Sequence, residues 1–281
     1  MPGAYFILFE LIIYLQFALC LHHAWKQGVG KLLKLLAGIL FGVILELATI
    51  RQLHAYEYGQ FLIMVMDVPL CIGVAWSCII YSSMEFSDAS SLPFWARPIL
   101  DGLLALNIDL ALDAIAIRLG FWDWGQGLRF QYFGVPFANV WAWFWVVFSF
   151  SLGYRLLAHR EDSVVKWLSP LMALIVGLGG VLGSNAIIAF EVPLESHQLF
   201  VVVTLLLAFI LVASMRPRFE KTSIPMLVFW ITFLTHGYVL IAGAISGVIL
   251  EPPALLLVSL IMIVITFYLH RQTIETIFTG R

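Results

Sequence analysis

Asn107-Ile108-Asp109-Leu110-Ala111-Leu112-Asp113 lies inside an apolar run, residues 98–118, that is long enough to cross a bilayer. Its two carboxylates are four residues apart and share one helical face. In hydrocarbon each costs on the order of 2.5–3.5 kcal/mol on insertion scales, so the fold must compensate them. Downstream come an aromatic loop, Phe121-Trp122-Asp123-Trp124, and then Tyr132-Phe133-Gly134-Val135-Pro136, which with Asn139 opens the next apolar run. Residues 101–151 are therefore the expected centre of a site.

Composition sets the class. Of 281 residues 62% are hydrophobic and 11% charged, with a mean hydropathy of +0.99, far from the usual make-up of soluble domains. The expected fold is all-α, a polytopic transmembrane bundle of about nine helices forming a single domain over 1–281, with a polar pocket built from helices within 40–150. The nine spans are 4–21, 32–50, 60–82, 98–118, 135–157, 167–190, 199–215, 224–249 and 254–269. The first has no basic residue before it and no small-residue cleavage pattern after it, so it reads as a retained helix. Cys20, Cys71 and Cys78 fall within apolar segments and read as small core residues. A net charge of -2 gives no reason to expect nucleic acid.

Basic residues orient the bundle, because short cytoplasmic loops retain them. Alternating loops place twelve Lys and Arg on one side and only Arg51, Arg118 and Arg129 on the other, which predicts an outer N-terminus and an inner C-terminus. In that frame Glu46, Asp67, Asp109, Asp113, Asn139 and Asn185 all fall within roughly 6–14 Å of the outer boundary, at a rise of about 1.5 Å per residue. Independent polar residues have no reason to agree in depth. Asp67-Val68-Pro69 and Gly134-Val135-Pro136 echo each other, but the surrounding residues show no repeat.

Each constellation has two readings. Glu46, Asp67, Asp109 and Asp113 read as a shared pocket in which crowding and dryness leave one neutral acid able to donate a proton near pH 7. Alternatively they tie helices together, with Arg51 or Arg118 as counter-ions. His54, Tyr56 and Tyr58 could position water or a substrate end, or belong to the interfacial aromatic belt. Trp76, Trp122, Trp124, Trp141, Trp143 and Trp145 offer ring faces for a cation or a long apolar ligand, although residues 141, 143 and 145 point to different sides and at least one must face lipid. Pro69 and Pro136 stand near the acids, where a proline can mark a helix bent around a cavity. His236, beside Thr232 and Thr235, reads either as a relay or as a packed histidine. His22-His23 has no companion ligand, and no metal site is expected.

At these residues the chain resembles the bacterial and archaeal carotenoid biosynthesis membrane proteins, which include the carotenoid 1,2-hydratases and bisanhydrobacterioruberin hydratases. The resemblance rests on Glu46 with Thr49 through Gly59, Asp67-Val68-Pro69 through Tyr81-Ser82, Leu112-Asp113 through Gly120 with Trp122 and Trp124, and Tyr132 through Pro136 with Asn139 and Trp143. It implies addition of water to the terminal double bond of an acyclic carotenoid, without a cofactor, in the cell membrane of a prokaryote. The residues carried over are Glu46, Asp67, Asp113, Asn139 and His54. Hydration needs an acid, a base that orients water, and aromatic faces around a tertiary carbocation. The expected acid is Asp113 or Asp109 and the expected base Glu46 or Asp67, with His54 and Asn139 assisting. Tyr56, Tyr58, Trp76, Trp122, Trp124, Tyr132 and Trp143 are the expected substrate-binding groups. The expected partners are an acyclic carotenoid, water and membrane lipid, with a homo-oligomer left open.

Two rivals compete. The run Asn107 to Asp113 is similar to part of the aspartate-rich magnesium motif of intramembrane prenyltransferases, but lacks its adjacent aspartate and a second cluster. A proton-coupled transporter also buries acids, though paired halves with broken helices are the usual sign of one.

Overall fold

In a computed structural model the chain is a helical bundle, described over residues 2–53, 56–125, 131–158, 167–219 and 224–279. Among the described residues there are ten helices: α1 (Ala4–Gln27), α2 (Val29–Leu53), α3 (Leu70–Asp88), α4 (Arg97–Arg118), α5 (Phe137–Ala158), α6 (Ser169–Ala186), α7 (His197–Ser214), α8 (Met226–Ser246), α9 (Ala254–Leu269) and the short α10 (Arg271–Thr279). Seven of these, α1 to α3 and α5 to α8, are long and apolar enough to cross a membrane. The other two expected spans are α4, equally long but bearing three aspartates between its terminal arginines, and α9, of 16 residues. Helices α3 and α4 are buried on most faces, whereas α6 and α7 turn large apolar side chains outward.

The third span needs correction. Residues 60–69 are not helical: Met64–Val65 (β2) and Val68–Pro69 (β3) form a hairpin whose turn is Met66 and Asp67, with Met66 at φ 57°, and α3 starts only at Leu70. Hydropathy could not separate these states, because Phe61 to Met66 is as apolar as a span. Phe61 is buried, but Leu62, Ile63, Met64 and Met66 lie outward instead, Met66 to 67%. Asp67 therefore sits in an exposed turn, outside the third helix.

A second correction concerns the repeat, which the structure makes plain. Strand β1 (Glu57–Tyr58) pairs antiparallel with β4 (Trp122–Asp123), Glu57 opposite Asp123. A second hairpin, β5 (Gln131–Tyr132) with β6 (Val135–Pro136), leads into α5 as the first leads into α3, and its turn residue Phe133 also has positive φ. The units α2-hairpin-α3 and α4-hairpin-α5 then superpose in sequence at one constant spacing. Glu46 falls on Asp113, Arg51 on Arg118, Val68-Pro69 on Val135-Pro136, Trp76 on Trp143 and Asp88 on Arg155. With a one-residue shift in the loop, Tyr56-Glu57-Tyr58-Gly59 falls on Trp122-Asp123-Trp124-Gly125. Equivalent residues meet each other: Glu57 with Asp123 in the strand pair, Trp76 with Trp143 at a ring separation of 4.4 Å, and Asp88 with Arg155 in an ion pair. Such self-pairing marks an approximate two-fold axis running through the bundle. Overall residue identity between the units is low, which is why the echo alone was visible in the sequence.

Small residues let the first unit close up. Gly38 and Gly42 are four apart on α2, and a Cβ on Gly42 would lie 2.9 Å from the Gly73 carbonyl oxygen and 2.9 Å from Trp76 Cβ. That spacing allows helix backbones to approach closely, and Glu46, one turn further along α2, is thereby brought against α3. The opposite end of the bundle is tied by charges: Lys34 donates to Glu85 at 2.7 Å, and Arg155 links Asp88 with the fully buried Asp101. Glu85, Asp88 and Asp101 are acids that residue depth alone did not single out.

Candidate active site

The axis passes a cavity of about 530 Å³ near the hairpin end of the bundle. Glu46 and Asp113, equivalent residues of the two units, both line it. Around them stand Trp76, Trp122, Trp124 and Trp143, the phenols of Tyr56 and Tyr58, the Asn139 amide, and aliphatic side chains. The lining includes no lysine or arginine among the described residues.

The two acids have different surroundings. Glu46 accepts three hydrogen bonds: from Trp76 Nε1 to Oε1 at 2.7 Å, from Tyr58 OH to Oε2 at 2.7 Å, and from Tyr56 OH to Oε2. A carboxylate that accepts from donors on both oxygens, two on Oε2 and one on Oε1, is held in one orientation. Burial and the adjacent Glu46 push the hydroxyls of Tyr56 and Tyr58 well above the ordinary tyrosine range, so both remain donors. Asp113 accepts from Asn139 Nδ2 through Oδ2, while its Oδ1 has no hydrogen-bond partner. Asn139 stands where the first unit has Ile72, and Trp122 and Trp124 stand where it has the two tyrosines. Trp124 Nε1 is buried without a partner.

The remaining expected site residues distribute as follows. Asp109 is buried one turn from Asp113 with both oxygens unpaired, but does not line the cavity. Asp67 is excluded from the pocket: it pairs with Arg51 at 2.7 Å, and the two side chains are 55% and 54% exposed. Tyr132 donates to the Leu110 carbonyl at 2.9 Å and lies off the cavity wall. His54 falls outside the described residues. Arg118 is no counter-ion to the acids, since it donates to the carbonyls of Ala114, Phe133 and Glu251. His236 bonds the Asn107 oxygen at 3.1 Å, which Thr266 shares. Asn107 thus faces α8 and α9 while Asp113 faces the cavity, so the magnesium-like run does not converge on one point. Among the described residues no three His, Cys, Asp or Glu side chains cluster as metal ligands.

Sequence reading passed over Gln16, which lines the cavity and donates to the Ile231 carbonyl and to Thr235 Oγ1. Its signal was a lone amide within an apolar span. Gly38 and Gly42 were also legible as a small-residue pair one turn before an acid.

A cavity of this kind favours positive charge, since carboxylates and ring faces surround an apolar space. The family model described as carotenoid biosynthesis protein matches residues 3–212. The chain belongs to the carotenoid biosynthesis protein family. No characterised protein and no solved structure gives a significant match. The matched range holds every cavity-lining residue except Thr235. This member of the family is thus a multi-pass membrane protein with a role in carotenoid biosynthesis.

Proposed function

We propose that the protein hydrates the terminal carbon-carbon double bond of an acyclic carotenoid. The observation that carries this reading is the pairing of two differently held carboxyl groups, Glu46 and Asp113, in one apolar, ring-lined cavity. Asp113 is the acid: its O–H bond breaks as the alkene's electron pair takes the proton at the less substituted carbon. The tertiary carbocation left behind is stabilised by the rings of Trp76 and Trp143 and by the Glu46 carboxylate. Water adds to the cation, and its surplus proton passes to Glu46, giving a tertiary alcohol. Return of that proton from Glu46 to Asp113 closes the cycle without any redox change. Of the four acids considered from sequence, the cavity supports these two, because Asp67 is outside it and Asp109 behind its wall. Asn139 orients Asp113, while the two tyrosines and Trp76 orient Glu46.

The basic asymmetry of the loops supports an outward-facing hairpin end in a prokaryotic cell membrane. Expression in a lycopene-making host tests the reaction: pigment extracts should gain the mass of one water per hydrated end. Asp113→Asn should abolish that gain while the protein still inserts; product formed by this variant would refute the acid assignment. Turnover that depends on magnesium and a prenyl diphosphate, or proton flux without carotenoid, would overturn the reading.

A further inference from the structure

The cavity is closed on one flank and open on the other. Towards α1 and α8 it ends on Phe9, Ile13, Gln16 and Thr235, all buried. On the far flank Leu182, Ala186, Ala189 and Phe190 line it and are exposed, Phe190 to 84%. No other described lining residue is exposed. At this place α6 passes into a π-helical turn, Ile187–Glu191, which keeps Ile188 buried against the bundle while its neighbours face out. The wider turn closes α6, and the chain is extended at Val192. Small side chains line this part of the cavity: exposed Ala186 and Ala189 at the end of α6 and in its π-helical turn, and half-buried Ala138 and Ala142 of α5. Leu182, Ile187 and Leu199 are exposed around it, with the exposed Glu191 and Glu195 marking its edge towards the loop, so the gap lies on an apolar surface beside a charged border.

We infer that this gap is the portal occupied by the polyene of the substrate, and that Ala186 and Ala189 determine which chains pass. The inference rests on the hydration reading of the same cavity. An acyclic carotenoid is about as long as the hydrocarbon core is thick, roughly 30 Å, and conjugation keeps it straight. It cannot coil inside a chamber that ends on α1 and α8. With its end group between Glu46 and Asp113, the rest must leave through the wall, and the α6 side is where the described wall is open to lipid. A thin, flat polyene with only methyl branches fits beside the alanines; a chain with a ring near the end group does not.

Ala186→Phe and Ala189→Phe test this, with Ile187→Phe as control, because Ile187 is 48% exposed but does not line the cavity. The two alanine variants should lose about tenfold or more in hydration of a full-length acyclic carotenoid, the usual scale of overfilling a fitted slot. Pigment that copurifies with them should fall in parallel. A short acyclic terpene with the same isopropylidene end should be hydrated as by the wild type, and the control should match the wild type on both substrates. Unchanged turnover and pigment in both alanine variants, or equal loss on the short and long substrates, would overturn the portal. Should the wild type add water to neither substrate, the hydration reading falls; pigment held by the wild type and lost from Ala189→Phe would still uphold the portal, and pigment held by both would reject it.

Discussion

Trp76→Phe removes one N–H and keeps an aromatic ring against Trp143. Trp76 Nε1 is the donor to Glu46 Oε1, at 2.7 Å and buried, so the variant leaves that oxygen without its partner. A hydrogen bond to a charged group is worth about 1.5–3 kcal/mol, and each 1.36 kcal/mol is about tenfold in rate. Hydration should therefore slow by about 10- to 150-fold, with a smaller loss of thermal stability from the unpaired acceptor. The assay is product formation in membranes at saturating carotenoid, run as a double-mutant cycle with Glu46→Gln. Because both substitutions act on one interaction, the double variant should be no slower than Glu46→Gln alone. A wild-type rate for Trp76→Phe, or effects that multiply in the cycle, would refute the assignment of Trp76 as the residue that orients the base.

Two more expectations follow from the geometry. Gly42→Ala should destabilise by about 1–3 kcal/mol and slow hydration, since the new methyl meets backbone of α3 and separates Glu46 from Trp76; Gly179→Ala, with nothing near its Cβ position, should cost nothing in a thermal melt. The raised hydroxyls of Tyr56 and Tyr58 make a pH prediction. Their contribution to stability is fully present below the ordinary tyrosine value of about 10 and is lost as pH rises through the higher folded value. Melts between neutral and strongly alkaline pH should show a steeper alkaline decline for the wild type than for the Tyr56→Phe/Tyr58→Phe protein, and parallel declines would count against it.

Periodicity and hydropathy were enough for the helical class and for expecting Glu46 and Asp113 in one pocket, because a carboxyl within an apolar run is tolerated where other polar groups receive it. They failed at Asp67, where an exposed apolar hairpin looks like the start of a span until the turn at Met66 is seen. They also failed at the repeat. Its units agree at the Val-Pro hairpin stems, at Trp76 and Trp143 and at a few further positions, while the residues between vary freely wherever lipid or a neighbouring helix accepts any apolar side chain. Asp109 shares a helical face with Asp113, yet it lies one turn earlier on α4, and that step along the helix takes it out of the cavity lining. Tyr56, Tyr58 and Trp76 were singled out from sequence as substrate-binding groups, but that they donate to Glu46 was not, since the close approach of α2 and α3 depends on Gly38 and Gly42, whose steric meaning needs the opposing backbone.

Doubling a helix-hairpin-helix unit about an axis yields two acids in like positions, and like positions alone would make them interchangeable. Addition of water to an alkene is directional: one group must release a proton before another can collect one. Three substitutions between the halves break the equivalence, phenols for indoles at two places and Ile72 for Asn139 at a third. They cluster around the carboxyl groups, while the hairpin stems and the central indoles stay matched. Under the hydration reading, changes in the lining are enough to turn two like half-sites into a donor and an acceptor of protons, with the helices and hairpin stems kept in common.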